Sequence, residues 1–252
     1  SMPRGRCHFA LLVGLQERLD EDLPQIGELT KRHFSDFLAG SLAPDAMRSL
    51  GKMGKFGSHF YSEDRQETWG KSVVGLFESH PNLSNPEQLS EQDCAFLMGY
   101  ISHLTTDEAF RDQVTIHVHG VDLWRPIIRG LWSLVDELPI NHPNLGGEVD
   151  LFVRSDHVGF IDCQIVRTFL QRARGWAVCS NPWEHELVFL QMIEREIPEQ
   201  EARESFTKNR GMAARYLNEN RRRDFVDEAI QRGFDAVRGF MTGKHKHVRV
   251  EK

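Results

Sequence analysis

The sequence lacks any long hydrophobic run. The apolar stretch at residues 9–15 has seven residues, whereas a membrane-spanning helix needs about 20. That stretch is also too short for a secretory signal peptide, and no small-residue cleavage site follows it. The sequence therefore predicts no integral membrane segment and favours a cytoplasmic location.

Cysteine is scarce, with four residues at positions 7, 94, 163 and 179 and no Cys-x-x-Cys pair. Free thiols in a reducing compartment are the simpler interpretation, and disulfides are the alternative. Other signatures are missing as well, since the chain has no Gly-x-Ser-x-Gly elbow and no phosphate-binding glycine loop. These absences argue against a serine hydrolase of that type and against a nucleotide-binding loop.

Positive charge is not in excess either. The chain has 31 Lys and Arg against 37 Asp and Glu, which gives a net charge of −6. Recognition of duplex nucleic acid normally requires a concentrated basic surface, so we expect no duplex partner. The one dense basic cluster, at residues 221–223, is interpreted as a solvated helix face. An acidic protein can still act on phosphoesters, because bound cations supply the missing positive charge.

What the sequence does contain is helical periodicity along most of its length, without extended period-two alternation. Ser90 and Asn181 each stand where a helix N-cap is expected. By contrast, the glycines and Pro44 within residues 40–60 predict a long irregular loop. We therefore predict an all-α, multi-helix bundle that forms a single domain over residues 1–242, followed by a disordered tail at residues 243–252.

The helix that begins after Ser90 carries the most informative pair. His103 and Asp107 are four residues apart, so both side chains project from one face and can reach one cation at roughly 2.0–2.2 Å. The same face carries Phe96 and Tyr100, which predicts that it is buried. A buried carboxylate costs several kcal/mol unless it is paired or ligates a metal. A buried His–Asp hydrogen bond without metal is the alternative.

Two further residues precede this helix in the chain. Asp45 directly follows Pro44, where the backbone is stiff, and His59 lies fourteen residues later, after a glycine-rich stretch. The spacing of His103 and Asp107 is weak evidence alone, because three histidines in the chain have an acid four residues on. The added carboxylate and imidazole favour the metal interpretation over the hydrogen bond.

These segments, in this order, resemble the zinc-dependent phospholipases C and the related amino-terminal domain of the phospholipases D that act on glycosylphosphatidylinositol anchors. The resemblance covers roughly the first 115 residues. The matching elements are His8, Gly40-Ser-Leu-Ala-Pro44-Asp45, Ser58-His59-Phe60 and Gly99-Tyr100-Ile-Ser-His103-Leu-Thr-Thr-Asp107.

The resemblance implies an all-α fold of the type shared with fungal single-strand nucleases. It also implies that Asp45, His59, His103 and Asp107 share one metal ion. His8 would then hold a neighbouring ion, with Asp107 bridging the two, and Asp45 would have the catalytic role of a general base. The implied cofactor is a divalent metal, one or two zinc ions, with manganese or iron as alternatives.

The match becomes weaker after Asp107. The family's third zinc uses a histidine soon after that aspartate and a later His-x-x-x-Glu pair, but here Arg111 stands four residues on and no such pair occurs between residues 110 and 200. We interpret His117 and His119 as peripheral, near a helix end. His142 with Glu148 is an alternative ligand pair. The sequence therefore predicts one or two metals rather than three.

The predicted function is metal-dependent hydrolysis of a phosphoester, with a phospholipid-like or other phosphodiester as substrate, by attack of metal-bound hydroxide. Asp45 would accept the proton of the water. Two alternatives stay open at this point. One is a metal-binding protein without catalysis, and the other is a nuclease-like phosphohydrolase, for which aromatic side chains that stack on bases are expected.

Overall fold

The computed structural model describes residues 3–62, 64–140, 142 and 158–246. Eleven α-helices occupy this part of the chain, joined by short 3-10 turns, and the one β-type pairing there is an isolated bridge between Ser62 and Arg65. The helices are α1 (Gly5–Asp22), α2 (Pro24–Arg32), α3 (Phe34–Ser49), α4 (Lys55–His59), α5 (Ser72–Ser79), α6 (Glu91–Gln113), α7 (Trp124–Val135), α8 (Cys163–Ala173), α9 (Pro182–Met192), α10 (Glu199–Ala213) and α11 (Glu219–Met241). The all-α prediction is confirmed.

The centre of the fold is α6, which is buried on every side over residues 94–111. It begins where the sequence predicts, because the hydroxyl of Ser90 accepts a hydrogen bond from the N–H of Asp93 at 3.1 Å. Helices α1, α3 and α11 pack around it. Any charged side chain on the inner part of α6 is therefore held away from water.

Helices α3 and α6 cross at a pair of glycines. A Cβ atom on Gly99 would overlap the carbonyl oxygen of Phe37 and lie 2.8 Å from the N–H nitrogen of Ser41. A Cβ atom on Gly40 would likewise overlap the carbonyl oxygen of Phe96. Only glycine lets the two backbones come this close. The crossing brings the second half of α3 alongside the polar residues of α6.

The loop predicted for residues 40–60 is wrong over most of its length. Helix α3 continues through Pro44 to Ser49, and α4 covers Lys55–His59. Proline removes one helical N–H donor, but the chain from Phe37 to Pro44 is buried, so packing against α6 outweighs this local penalty. Asp45 therefore lies on a helix, not on a loop.

The hydrophobic core has two parts, which meet at α6. The larger part is built mainly from α1, α3, α6 and α8, and the smaller from α6, α7, α10 and α11. In the carboxy-terminal helix α11, Phe225, Val237 and Phe240 are buried. The single-domain organisation stays a prediction, and residues 247–252 of the predicted tail lie outside the described residues. His245, within that tail, is buried and stacks on Phe77.

Among the described residues, no helix is both long enough and apolar enough to cross a membrane. The four cysteines are free thiols, and all but Cys179 are buried. Cys94 is 3% exposed and packs in the larger core.

Candidate metal centre

Four helices deliver the predicted ligands to one place. His103 and Asp107 lie one turn apart on α6, Asp45 lies near the end of α3, His59 is the last residue of α4, and His8 lies in the first turns of α1. Except for Asp45, whose side chain is 19% exposed, these side chains are nearly inaccessible to solvent. The site is therefore enclosed by protein, with one carboxylate at its edge.

Two imidazole nitrogens and two carboxylate oxygens lie close together at the centre of the site. The Nε2 atoms of His59 and His103 are 3.2 Å apart. The Oδ1 atom of Asp45 lies 3.6 and 3.9 Å from these two nitrogens, and the Oδ2 atom of Asp107 lies 3.7 and 3.5 Å from them. Ligands that each lie about 2 Å from one zinc ion are roughly 3–4 Å from each other. The separations within the group of His59, His103 and Asp107 fit a single cation, and Asp45 forms a second candidate group with His8 and His103.

Hydrogen bonds at the far side of each ring orient the imidazoles. The Nδ1 atom of His103 lies 2.8 Å from the carbonyl oxygen of Ser41, which can only accept, so Nδ1 carries the proton. The Nδ1 atom of His59 lies 2.7 Å from the hydroxyl oxygen of Ser58, and that hydroxyl is within donating distance, 3.1 Å, of the carbonyl oxygen of Gly54. This arrangement lets Nδ1 of His59 donate to Ser58. The Nε2 atoms of His59 and His103 are then both unprotonated, and each carries a lone pair. Two lone pairs 3.2 Å apart repel unless a cation lies between them.

Asp107 differs from the charged residues beside it. The carboxylate of Glu108 accepts a hydrogen bond from the N–H of Ser72 at 3.0 Å, and the guanidinium of Arg111 lies over the ring of Trp69. Asp107 is 8% exposed, yet neither of its oxygens has a hydrogen-bond partner in the described part of the protein. Such a carboxylate is costly unless it ligates a cation. This orphaned group, with two imidazole lone pairs beside it, fits zinc.

The imidazole of His8 faces the other oxygen of Asp107. Its Nε2 atom lies 3.3 Å from Oδ1 of Asp107 without hydrogen-bond geometry, and its ring stacks on His103 with 3.7 Å between centroids. The two oxygens of Asp107 are therefore directed to different imidazoles, Oδ1 to His8 and Oδ2 to the His59–His103 pair. A carboxylate placed in this way is able to bridge two ions.

The pKa values of the cluster match the protonation states that metal binding needs. Burial raises the pKa of Asp45, but the neighbouring imidazoles, led by His103, more than offset this and lower it to about 2. Burial, reinforced by the neighbouring His8, lowers the pKa of His103 to about 3 despite the opposing carboxylates. Near neutral pH the carboxylate is therefore ionised and the imidazole is neutral, which are the forms that ligate.

A cavity of about 670 Å³ adjoins the cluster, and Asp45 is part of its wall. Most of the rest of the wall comes from α7, α9 and α10, with Arg48 and Lys55 on the side of the candidate centre. Cavities of this size accommodate small organic ligands. A molecule that occupies this side of the cavity would thus lie beside Asp45.

Comparison with protein families adds an independent observation. Residues 8–120 match the family described as zinc dependent phospholipase C. Over these residues the chain is similar to that family. It contains His8, Asp45, His59, His103 and Asp107, and it ends before α7. Searches of curated proteins and of solved structures find no match.

The zinc-dependent phospholipase C match confirms the resemblance that the motifs indicate. Because the family depends on zinc, zinc is the cofactor that the match implies. At the level of the family, it also supports metal-dependent hydrolysis of a phosphoester, without naming a substrate.

Other histidines lie outside the cluster. His117 and His119 are exposed on a 3-10 turn after α6, and the ring of His119 lies 6.5 Å from that of Trp69. His142 stacks on Phe34, while its alternative partner Glu148 lies outside the described residues.

Sequence reasoning missed the groups that hold the imidazoles. The carbonyl of Ser41 leaves no sequence signal, because any residue could supply it. Ser58 belongs to the Ser-His-Phe motif, and its position directly before His59 is the signal that could have identified its role in orienting that imidazole.

Ser58→Ala should weaken zinc binding by roughly 10- to 100-fold, since it removes the group that orients His59. Ser84→Ala is the matched control, because Ser84 is also buried and its hydroxyl donates to the carbonyl of Pro81 at 2.7 Å. Competition with a chromogenic zinc chelator measures the affinity of each variant. Equal zinc affinity in the two variants would show that Ser58 does not position His59.

Proposed function

We propose that this protein is a metal-dependent phosphoesterase that hydrolyses a phosphodiester, with a phospholipid-like molecule as the favoured substrate. The observation that carries the proposal is a pair of imidazole nitrogens 3.2 Å apart, each with one oxygen of Asp45 and one of Asp107 within 3.5–3.9 Å. The proposed ligands of the first ion are His59, His103, Asp45 and Asp107. His8 and the second oxygen of Asp107 are the proposed ligands of a neighbouring ion.

A bound divalent ion supplies a Lewis acid and lowers the pKa of water towards 7. The residues of this chain supply orientation and charge. The carbonyl of Ser41 and the hydroxyl of Ser58 fix the two imidazoles, so that both Nε2 atoms stay directed at one point. The burial of Asp107 in α6 keeps its charge from being screened by water.

Asp45 is the proposed catalytic residue as well as a ligand. Its Oδ1 atom faces the imidazoles, while the residue also forms part of the cavity wall, where a substrate and its attacking water would lie. A carboxylate in this position can accept the proton of that water within hydrogen-bond distance. The partial exposure of Asp45 then gives the proton a route to solvent.

A nuclease-like activity is the second candidate function. It is supported by Trp124, which is 45% exposed, and by Trp132, since both indoles line the cavity and indoles stack on nucleic acid bases.

The test of the proposal combines metal content with turnover. The protein would be stripped with a chelator, reloaded with zinc, and offered a chromogenic phosphodiester, a phosphatidylinositol and a single-stranded oligonucleotide. We expect zinc binding and zinc-dependent cleavage of the first two substrates. Cleavage of the oligonucleotide alone would favour the nuclease function, and tight zinc binding without any turnover would favour a non-catalytic metal protein.

His8→Ala should remove one equivalent of bound zinc and leave the other, because His8 faces Oδ1 of Asp107 whereas Oδ2 faces the His59–His103 pair. The remaining ion keeps its four proposed ligands. Zinc titration followed by calorimetry measures both equivalents. Retention of both by the variant would mean that His8 is a core residue of α1 and not a ligand.

A further inference from the structure

The cavity beside Asp45 carries more positive charge than the composition of the chain suggests. The whole chain has a net charge of −6, yet the wall includes the guanidinium groups of Arg48, Arg125, Arg129 and Arg195, all on exposed residues. None of these four forms an ion pair with an acidic side chain in the part of the chain that the structure describes. Their charges are therefore available to a ligand.

The other charges of the wall largely cancel. Arg4 is buried and pairs with Glu186 at 2.5 Å between its Nη1 atom and the carboxylate. Asp45 belongs to the candidate metal centre, where a cation would neutralise it. Among the wall residues that the structure describes, Glu201 is the one remaining acid. The local balance is thus strongly positive, before any metal is counted.

The uncharged part of the wall combines aliphatic and aromatic side chains with four polar residues, Ser49, Ser133, Ser205 and Asn209. The aliphatic residues include Ile128, Leu190, Met192 and Ile193, and the aromatic ones are Phe169, Phe189, Phe206 and the two indoles. Aliphatic side chains offer contact to flexible hydrocarbon, whereas the stacking of successive bases relies on aromatic faces along an open groove. At about 670 Å³ the cavity is a small-molecule site rather than a groove that follows a polymer.

We propose that this cavity selects an amphiphile whose polar part carries a second anionic group besides the scissile phosphate, and that Arg125 and Arg129 recognise that group. The two arginines are four residues apart on α7, so they lie on one helix face. Guanidinium groups bind phosphate and carboxylate through paired, charge-assisted hydrogen bonds. The same positive charge disfavours a substrate with a quaternary ammonium headgroup. This inference rests on the proposed function, since it names the substrate class of that site.

Binding of two matched ligands to the full, zinc-loaded protein tests the proposal. The ligands are phosphonate analogues, which resist hydrolysis, of dihexanoylphosphatidylcholine and dihexanoylphosphatidylinositol 4-phosphate. Fluorescence of Trp124 and Trp132 reports binding, and Trp124→Phe shows that the signal comes from the cavity. We expect the phosphatidylinositol 4-phosphate analogue, which carries two anionic groups, to bind at least about ten-fold more tightly than the phosphatidylcholine analogue.

Arg125→Gln/Arg129→Gln should lose most of this preference while its melting temperature stays close to that of the wild type, because both residues are exposed. Arg18→Gln/Arg238→Gln is the matched control, since it removes two exposed arginines that do not line the cavity. Equal affinity of the wild type for both ligands would overturn the proposal, as would a preference that the cavity variant retains. Tighter binding of a single-stranded trinucleotide than of either lipid would overturn it as well. The experiment measures binding and not turnover. If the protein hydrolyses no phosphodiester, the proposed function is contradicted, but the measured preference between the two ligands still tests this proposal.

Discussion

Asp107→Asn is expected to lower turnover of a chromogenic phosphodiester by roughly 100-fold or more, since loss of groups that merely orient ligands costs 10- to 100-fold. Asp107 is a proposed ligand and bridge, so the substitution removes negative charge from a site that holds one or two dications. The same substitution should raise the stability of the metal-free protein. An uncharged amide is less costly to bury than a carboxylate whose oxygens have no partner among the described residues.

This combination separates a loss of function from a loss of fold. Turnover and zinc content would be measured for the variant beside urea unfolding with and without zinc. His117→Ala and His119→Ala are the controls, because both histidines are exposed and outside the cluster. Losses of turnover equal to that of Asp107→Asn would instead place these two histidines in the site and restore a three-metal interpretation.

Gly99→Ala is expected to destabilise the fold by more than about 3 kcal/mol, at or above the upper end of typical overpacking costs. The added Cβ would overlap the carbonyl oxygen of Phe37, and it would lie 2.8 Å from the backbone nitrogen of Ser41. Both obstacles are backbone atoms, which cannot turn aside as a side chain can. The crossing of α3 and α6 would have to open. This would also displace the carbonyl of Ser41 from His103.

Gly211→Ala is the matched control on α10, since a Cβ there meets no atom within 4 Å. It should gain up to about 1 kcal/mol, the ordinary advantage of alanine over glycine in a helix. Urea unfolding of both variants gives the two free energies, and zinc titration shows whether the opened crossing weakens the centre. A Gly99→Ala protein as stable as Gly211→Ala would contradict the close crossing of the two helices.

Local chemistry made α6 predictable. The Ser90 cap, the stripe of apolar residues and the His103–Asp107 pair all depend on neighbours within a few positions, and each signal agrees with the others. The convergence of His8, Asp45 and His59 on that pair was predictable only through the resemblance, because those residues are far apart in the chain and no periodicity relates them.

At α3 the same reliance on neighbouring residues gave a wrong prediction. Glycine and proline predict a loop when only neighbours are considered, but Gly40 is required by the backbone of α6, and Pro44 is held in a helix by burial. Both causes are tertiary. The arginines of the cavity were equally beyond prediction, since they come from positions between 48 and 195 that no motif connects.

The separation of the ligands from most of the cavity wall has a consequence for how this protein can diverge. The proposed ligands lie between residues 8 and 107, whereas α7, α9 and α10 supply most of the wall from beyond residue 120. Mutations in the later helices can change which molecule is accepted without touching a ligand. Descendants of one ancestral protein could therefore acquire different substrates while inheriting the same reaction.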